Sequence, residues 1–486
     1  MAEIGSLIRA GTLRPGDRLP SVRRMSARRG VSIPTVLHAY RLLEARRVIG
    51  ARPQSGFYVL PPECAPVVEP ARAEPLPEPG EVATGDLIVR VLEMVSDPGL
   101  VPLSTALPDP GLLPAAALAR ALGRAVRREA TRSAMSVTSS GTEELRREIA
   151  RRALEAGSPV AAENVVVTCG CAEAITLCLR ALTRPGDTVA VESPTYFGTL
   201  QALEVLGLRA LEIPVDPLTG MRVEVLAEAL ARGGVAAVVV TPNVHNPLGC
   251  VMPDERKREL AGLLAAHGVP AIEDDTYGEL YFGPARPRSL QAFDRAGLVL
   301  SCGSFSKTLA PAYRVGWTIP GRFRDRVLRA KLATTAGSSA PPQLALAEYL
   351  ASGGYEQHLR RLLRTFQGTV ARLSFEVAER FPEGTRISRP AGGFLLWVQL
   401  PEGDRRGGAP AARPRAGPER GAGAGVLGRR RLSQLRAHQR GIRLVGADPA
   451  GARPAGPPRP RVPAGVRESD LKTNHAESES AEGFLC

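Results

Sequence analysis

Five short apolar runs lie between residues 165 and 300, and longer stretches with helical periodicity separate them. Short β-branched runs that alternate with helices predict a mostly parallel sheet covered by helices on both faces. We therefore expect residues 89–402 to form one α/β domain with a mixed, mostly parallel sheet. The runs are 165–167, 189–191, 238–240, 271–272 and 298–300.

Polar or glycine-containing loops follow all five runs. Ligands of open α/β sheets bind beyond the carboxyl ends of the strands, so these loops are the expected site. The chain has only four lysines, and Lys307 alone follows a predicted strand, in a Ser-Phe-Ser-Lys sequence. The loops also supply a carboxylate pair, tyrosines, an asparagine and a Gly-Cys-Ala segment. Pyridoxal 5′-phosphate requires such groups: an amine, a carboxylate, phenol or amide donors, an aromatic face and an anion cradle.

Residues 1–60 have the pattern of two short helices joined by a turn. Ser21 precedes the first helix and Gly30 ends it, since glycine adopts the left-handed conformation at a helix end. Ser32 caps the second helix. Val36, Tyr40 and Leu43 follow at positions i, i+4 and i+7, which predicts one buried stripe.

A basic hairpin follows the two helices. Residues 48–49 and 57–60 read as strands around a turn at 53–56, and residues 1–60 hold eleven arginines against three acidic residues. A helix-turn-helix with a basic hairpin predicts a winged helix that binds DNA. The alternative is a small helical domain whose arginines are only solvated.

Other features limit the remaining classes. No run of eighteen apolar residues occurs, and seven cysteines without a CxxC pair favour neither a disulfide framework nor a zinc site, so we expect a cytoplasmic protein without metal. Residues 61–88, rich in Pro, Glu and Ala, predict an extended linker. Residues 403–486 lack apolar periodicity, which predicts a disordered tail.

Two resemblances rest on longer motifs. Residues 11–59, with GTLRPGDRLPSVR and SGFYV, resemble the DNA-binding domain of GntR-type regulators. ESPTYFG, NPLG, EDDTYGELYF, SFSKTLAP and PAGGFLLWVQLPEG resemble fold-type-I, aspartate aminotransferase-like enzymes. Together the motifs resemble the MocR branch of GntR regulators.

The second resemblance implies a role for each site residue. Lys307 would form the imine with pyridoxal phosphate, and Asp274 would pair with the pyridine nitrogen. Asn246 and Tyr277 would donate to the phenolic oxygen, and Tyr196 would stack on the ring. The phosphate would bind Gly170, Cys171, Ala172, Ser304 and Arg314.

The first resemblance implies DNA contacts at Ser21, Arg23, Ser32, Thr35, Arg52 and Gly56. Ile33 stands where the family usually has arginine, which predicts altered affinity or sequence preference. The second resemblance also implies a head-to-tail homodimer, because fold-type-I sites form at a subunit interface.

Departures from the second resemblance concern activity. Ala312 replaces a glycine that would tolerate positive φ. Ser136 replaces a tyrosine that would contact the neighbouring subunit's cofactor. Arg443 matches the substrate-binding arginine only superficially, and we hypothesise that a frameshift near residue 403 replaced the end of the small domain.

These observations favour a MocR-type regulator that senses the cofactor or an amino compound through Lys307. The alternatives are a working aminotransferase, which would transfer amino groups to a 2-oxo acid, and a defective product that binds neither ligand nor DNA well.

Overall fold

The computed structural model describes the greater part of residues 1–401. Within it, no helix is long and apolar enough to cross a membrane. The described part leaves out several residues of the sequence predictions: most of the predicted linker, Ser136, the side chain of Arg52, Arg443 and the tail. The described residues are 4, 7, 12–13, 16–45, 48–52, 55–60, 68–71, 78–83, 85, 106–135 and 139–401.

The amino-terminal unit has the predicted winged-helix elements. Its helices are α1 (Val22–Arg29) and α2 (Ile33–Ala45), and its strands are β1 (Ile49–Arg52) and β2 (Gly56–Val59), which pair antiparallel. Gly30 ends α1 at φ 62°. Val36, Tyr40 and Leu43 are buried as predicted, and the Tyr40 hydroxyl donates to the Pro20 carbonyl at 2.8 Å.

A large mixed sheet dominates the rest of the described chain. Its order is β3–β6–β5–β8–β9–β10–β11–β4, with β7 paired to β6. Strands β6, β5, β8, β9 and β10 run parallel, whereas β11 is antiparallel to both β10 and β4. The strands are β3 (Gly80–Glu81), β4 (Val166–Thr168), β5 (Thr188–Ser193), β6 (Arg209–Asp216), β7 (Gly220–Met221), β8 (Val235–Val240), β9 (Ala271–Asp274), β10 (Val299–Ser304) and β11 (Gly316–Ile319).

Helices cover both faces of this sheet. Val189 and Val191 of β5 face one apolar cluster, and the intervening Ala190 faces another. Because successive strand residues point to opposite faces, burial on both sides explains the continuous apolar runs. The helices are α3 (Ala115–Arg128), α4 (Ala130–Ala134), α5 (Glu143–Glu155), α6 (Cys171–Leu182), α7 (Phe197–Val205), α8 (Val223–Arg232), α9 (Asp254–His267), α10 (Arg324–Leu332), α11 (Ala340–Ala351) and α12 (Gly354–Arg380).

A small antiparallel pair follows α12. It consists of β12 (Arg386–Ile387) and β13 (Val398–Gln399). Ile387 and Val398 pack against Leu373 and Val377 of α12, so the start of the small domain has its own apolar cluster.

Candidate cofactor site

The predicted lysine lies at the carboxyl edge of the parallel strands. Lys307 follows β10 by three residues, and Asp274 is the last residue of the neighbouring strand β9. The Lys307 Nζ atom lies 5.9 Å from the centroid of the Tyr277 ring and donates to the Ala106 carbonyl at 2.6 Å. Two adjacent parallel strands thus bring the amine, the carboxylate and the phenol to one edge.

The surroundings of Lys307 favour its neutral form. Burial lowers its pKa to about 8, although the Asp274 carboxylate opposes this shift. A neutral amine is the form that adds to an aldehyde, and a desolvated lysine reaches it near physiological pH. The lowered pKa makes the neutral amine of Lys307 more accessible for imine formation than that of an unperturbed lysine.

Asp274 is a buried carboxylate close to several site groups. Burial raises its pKa, and its Oδ1 atom accepts hydrogen bonds from the Thr276 backbone N–H at 3.0 Å and from Cys171 Sγ at 3.5 Å. Burial first, and then the charge of Asp274, raise the pKa of Tyr196. A buried carboxylate without a cationic hydrogen-bond partner among these contacts is suited to an incoming positive group.

Tyr277 has an unused donor. Its side chain is buried, and its hydroxyl has no hydrogen-bond partner within the described residues. Burial raises the pKa of this phenol well above its usual value, so it remains a donor. Buried hydroxyls are normally paired, so this orphan group fits a ligand oxygen.

Gly170, Cys171 and Ala172 begin helix α6. Gly170 has φ 83°, and an added Cβ atom would lie 2.5 Å from Arg314 Nη2. Gly316 passes so close that its own Cβ would lie 2.5 Å from the Gly170 carbonyl carbon. The backbone N–H groups of a helix start attract anions, so the start of α6 is suited to a phosphate.

Arg314 and Ser304 lie beside this start of α6. Arg314 has φ 50° and donates from Nη2 to the Cys169 carbonyl at 3.1 Å. Ser304 Oγ lies 2.7 Å from Ser306 Oγ and 3.1 Å from the Val315 carbonyl. Ala312 does not have positive φ, so the backbone cost expected there falls on Arg314 instead.

The other predicted cofactor residues lie in the expected loops. Asn246 is buried after β8, and Tyr196 is half-buried before α7, with its ring 4.7 Å from that of Phe197. Ala172 is exposed in the first turn of α6.

The sequence did not predict the roles of two groups of residues at or near the site. The first is the Cys171 side chain, for which only the backbone was considered. The second is a buried ionic cluster behind Asp274. Asp275 Oδ2 accepts from Arg286 at 2.5 Å, and Arg286 also donates to Glu279 at 3.1 Å. Glu279 in turn pairs with Arg152 and accepts from the Tyr355 hydroxyl.

The predicted DNA contacts are mostly on the surface. Ser21, Arg23, Ser32 and Thr35 are exposed. Ser21 and Ser32 also cap their helices, since their hydroxyls accept from the backbone N–H groups of Arg24 and Thr35, each at 3.3 Å. Gly56 begins β2 at φ 108°.

Two family models match this chain. "Aminotransferase class I and II" matches residues 100–407, and "Bacterial regulatory proteins, gntR family" matches residues 1–59. A DNA-binding winged helix joined to an aminotransferase fold defines a class of bacterial transcriptional regulators. The chain belongs to that class, the MocR type of the gntR family.

Two Escherichia coli regulators match most of this chain. The Escherichia coli "Uncharacterized HTH-type transcriptional regulator YjiR" is 41% identical over 398 residues, which cover 81% of this chain and 84% of the relative. The E. coli regulator YdcR is 40% identical, with the same coverage of 81% and 84%.

Solved aminotransferases share the fold of the large domain. Pyrococcus horikoshii kynurenine aminotransferase, solved with PMP, has a TM-score of 0.61 and 29% identity, covering 65% of this chain and 80% of its own. Thermus thermophilus LysN, solved with N-(5′-phosphopyridoxyl)-L-leucine, has a TM-score of 0.58 and 27% identity, covering 66% of this chain and 84% of its own.

Proposed function

We propose that this regulator binds pyridoxal 5′-phosphate at Lys307, Asp274 and Tyr277, and that the bound cofactor, or an amino compound that reacts with it, changes its affinity for DNA. The observation that carries the proposal is the meeting of a half-buried amine of pKa about 8, a buried carboxylate and an unpaired phenol at one sheet edge.

Each group has a distinct task in this proposal. Pyridoxal phosphate supplies an aldehyde that reacts with amines and a pyridine ring that withdraws electrons. Lys307 would bind at the aldehyde carbon, and the Asp274 carboxylate would hold a proton on the pyridine nitrogen. Tyr277 and Asn246 would donate to the phenolic oxygen, while Tyr196 would cover the ring.

The phosphate belongs at the start of α6. The backbone N–H groups of Gly170, Cys171 and Ala172 point out of the helix start, and Arg314 supplies positive charge beside them. Ser304 adds a hydroxyl once it releases one of its protein partners. These residues would hold the phosphate end of the cofactor, while Asp274 and Lys307 would bind its pyridine nitrogen and its aldehyde.

Coupling to DNA requires that cofactor and operator each change the affinity for the other by the same factor. We propose a homodimer for this purpose, because two winged helices then reach two half-sites at once. We place the protein in the cytoplasm, because its partner is chromosomal DNA.

Operator binding with and without cofactor tests the proposal. Full-length protein is titrated by fluorescence anisotropy against a duplex enriched from random DNA by the protein itself. We expect pyridoxal phosphate to change the affinity of the wild type by roughly fivefold or more, since allosteric couplings span about 5- to 150-fold. Lys307→Ala should bind the duplex but lose this response.

Tyr281→Phe is a control. Tyr281 is half-buried, follows Tyr277 by four residues and is not one of the proposed cofactor-binding residues. This variant should respond like the wild type. An equal cofactor effect in wild type and Lys307→Ala, or none in either, would contradict the proposal.

A further inference from the structure

The start of helix α2, together with the two residues before it, exposes apolar side chains and no charged ones. Residues 31–35 are all exposed, and none of them is charged. Val31 keeps 41% and Ile33 47% of its surface exposed to solvent. Two large apolar side chains thus lie two residues apart in the chain, and both keep a large part of their surface exposed. We call Val31 and Ile33 the apolar tip.

Hydrogen bonds hold this tip in place. Ser26 Oγ donates to the Val31 carbonyl at 2.6 Å, and the Val31 N–H donates to the Ser26 carbonyl at 3.3 Å. Ser32 Oγ lies 2.7 Å from Thr35 Oγ1 and accepts from the Thr35 N–H at 3.3 Å. The neighbouring hydroxyls are thus engaged in the helix cap, and the outward-facing groups of the tip are methyls.

The charges around the tip indicate what covers it. Helix α1 carries four exposed arginines and no acidic residue. Arginines contact phosphates and position a protein on the duplex. In a helix-turn-helix, the first residues of the second helix reach base edges in the major groove. DNA is therefore the partner of the apolar tip, which would contact the base edges on the floor of the major groove.

The major groove presents one apolar group, the C5 methyl of thymine. Guanine, by contrast, is read by a bidentate donor such as arginine, which the stretch from residue 31 to residue 35 lacks. We propose that Val31 and Ile33 read thymine methyl groups, so that each operator half-site requires a thymine opposite the apolar tip. The inference rests on DNA binding by the amino-terminal unit and is independent of the cofactor site.

The test removes single methyl groups from DNA. Duplexes enriched from a random pool by the full-length protein are remade with each thymine in turn replaced by deoxyuridine, which lacks only the C5 methyl. Anisotropy titration should show a loss of affinity of about threefold to fivefold at one or two positions per half-site, the size expected for the burial of one methyl group. Ile33→Ala should bind less tightly and no longer distinguish thymine from deoxyuridine there.

Two further variants complete the design. Leu42→Ala also removes an exposed apolar side chain from α2, but Leu42 lies nine residues on, which at about 100° per residue is the opposite side of the helix. It should keep the wild-type methyl dependence. Ile33→Arg should enrich guanine in place of thymine at the same position.

The outcomes separate this inference from the proposed function. Enriched duplexes without any methyl effect, or with the same effect in Ile33→Ala, would overturn the inference alone. If Ile33→Ala instead changed the mass of the assembly in solution and left DNA binding intact, the tip would contact a second protein. That result would also overturn the inference. A pool without any enriched sequence would remove both the inference and the proposed regulatory function.

Discussion

Replacing Arg152 by alanine should lower the free energy of unfolding by about 3–5 kcal/mol, the usual result of breaking a buried ion pair. Arg152 pairs with Glu279, donates to Glu356 at 2.9 Å and lies 4.3 Å from the centre of the Tyr355 ring. Burial alone would raise the pKa of Glu279, but Arg152 and Arg286 hold it below its usual value. Without Arg152, the buried Glu279 carboxylate would keep only Arg286 of the two arginines that compensate its charge. Urea denaturation followed by circular dichroism measures the difference.

The neighbouring arginine provides the control. The Arg151 side chain is 72% exposed, against 9% for Arg152, and it pairs with Glu148 on the same helix at 2.9 Å. Surface pairs of this kind contribute about 0–1 kcal/mol, so Arg151→Ala should change stability little. Equal losses in the two variants would show that the buried cluster does not stabilise the fold.

Asp274→Asn should weaken the binding of pyridoxal phosphate by roughly tenfold to hundredfold, because a hydrogen bond to a charged group contributes about 1.5–3 kcal/mol. Asp274 is buried, and its carboxylate is the charge that would hold a proton on the pyridine nitrogen. The asparagine keeps the shape of the side chain and removes that charge. Absorbance titration of the purified protein with the cofactor gives the dissociation constants.

Asp325→Asn makes the same chemical change on the surface, where the Asp325 side chain is 79% exposed and lies 3.5 Å from Arg324. This variant should bind the cofactor as the wild type does. Unchanged affinity in Asp274→Asn would remove Asp274 from the site.

Local patterns predicted much of the fold. The buried stripe Val36, Tyr40 and Leu43 and the glycine at the end of α1 follow from helical spacing alone, because each needs only neighbours within one helix. All five predicted runs lie in strands or at their ends. Strands β6 and β11 were not predicted, and Pro214 interrupts the first of them.

Long-range contacts were beyond the reach of sequence patterns. Arg152 and Glu279 are 127 residues apart, and no spacing rule joins them. Lys307 is only partly buried, whereas Lys257 and Lys331 are fully buried, although each of these two was set aside only because no strand precedes it. Their amines donate to Asn243 at 2.7 Å and to Ser338 at 2.9 Å, whereas Lys307 is the lysine near Asp274 and Tyr277.

These three lysines allow the most direct test of the cofactor site. Full-length protein is mixed with pyridoxal phosphate and reduced with borohydride, which makes a lysine–cofactor bond permanent, and its peptides are weighed by mass spectrometry. Our account predicts the added mass on the peptide that contains Lys307 and its absence from those that contain Lys257 and Lys331. A protein that carries no added mass on Lys307, or carries it equally on all three lysines, would contradict the account.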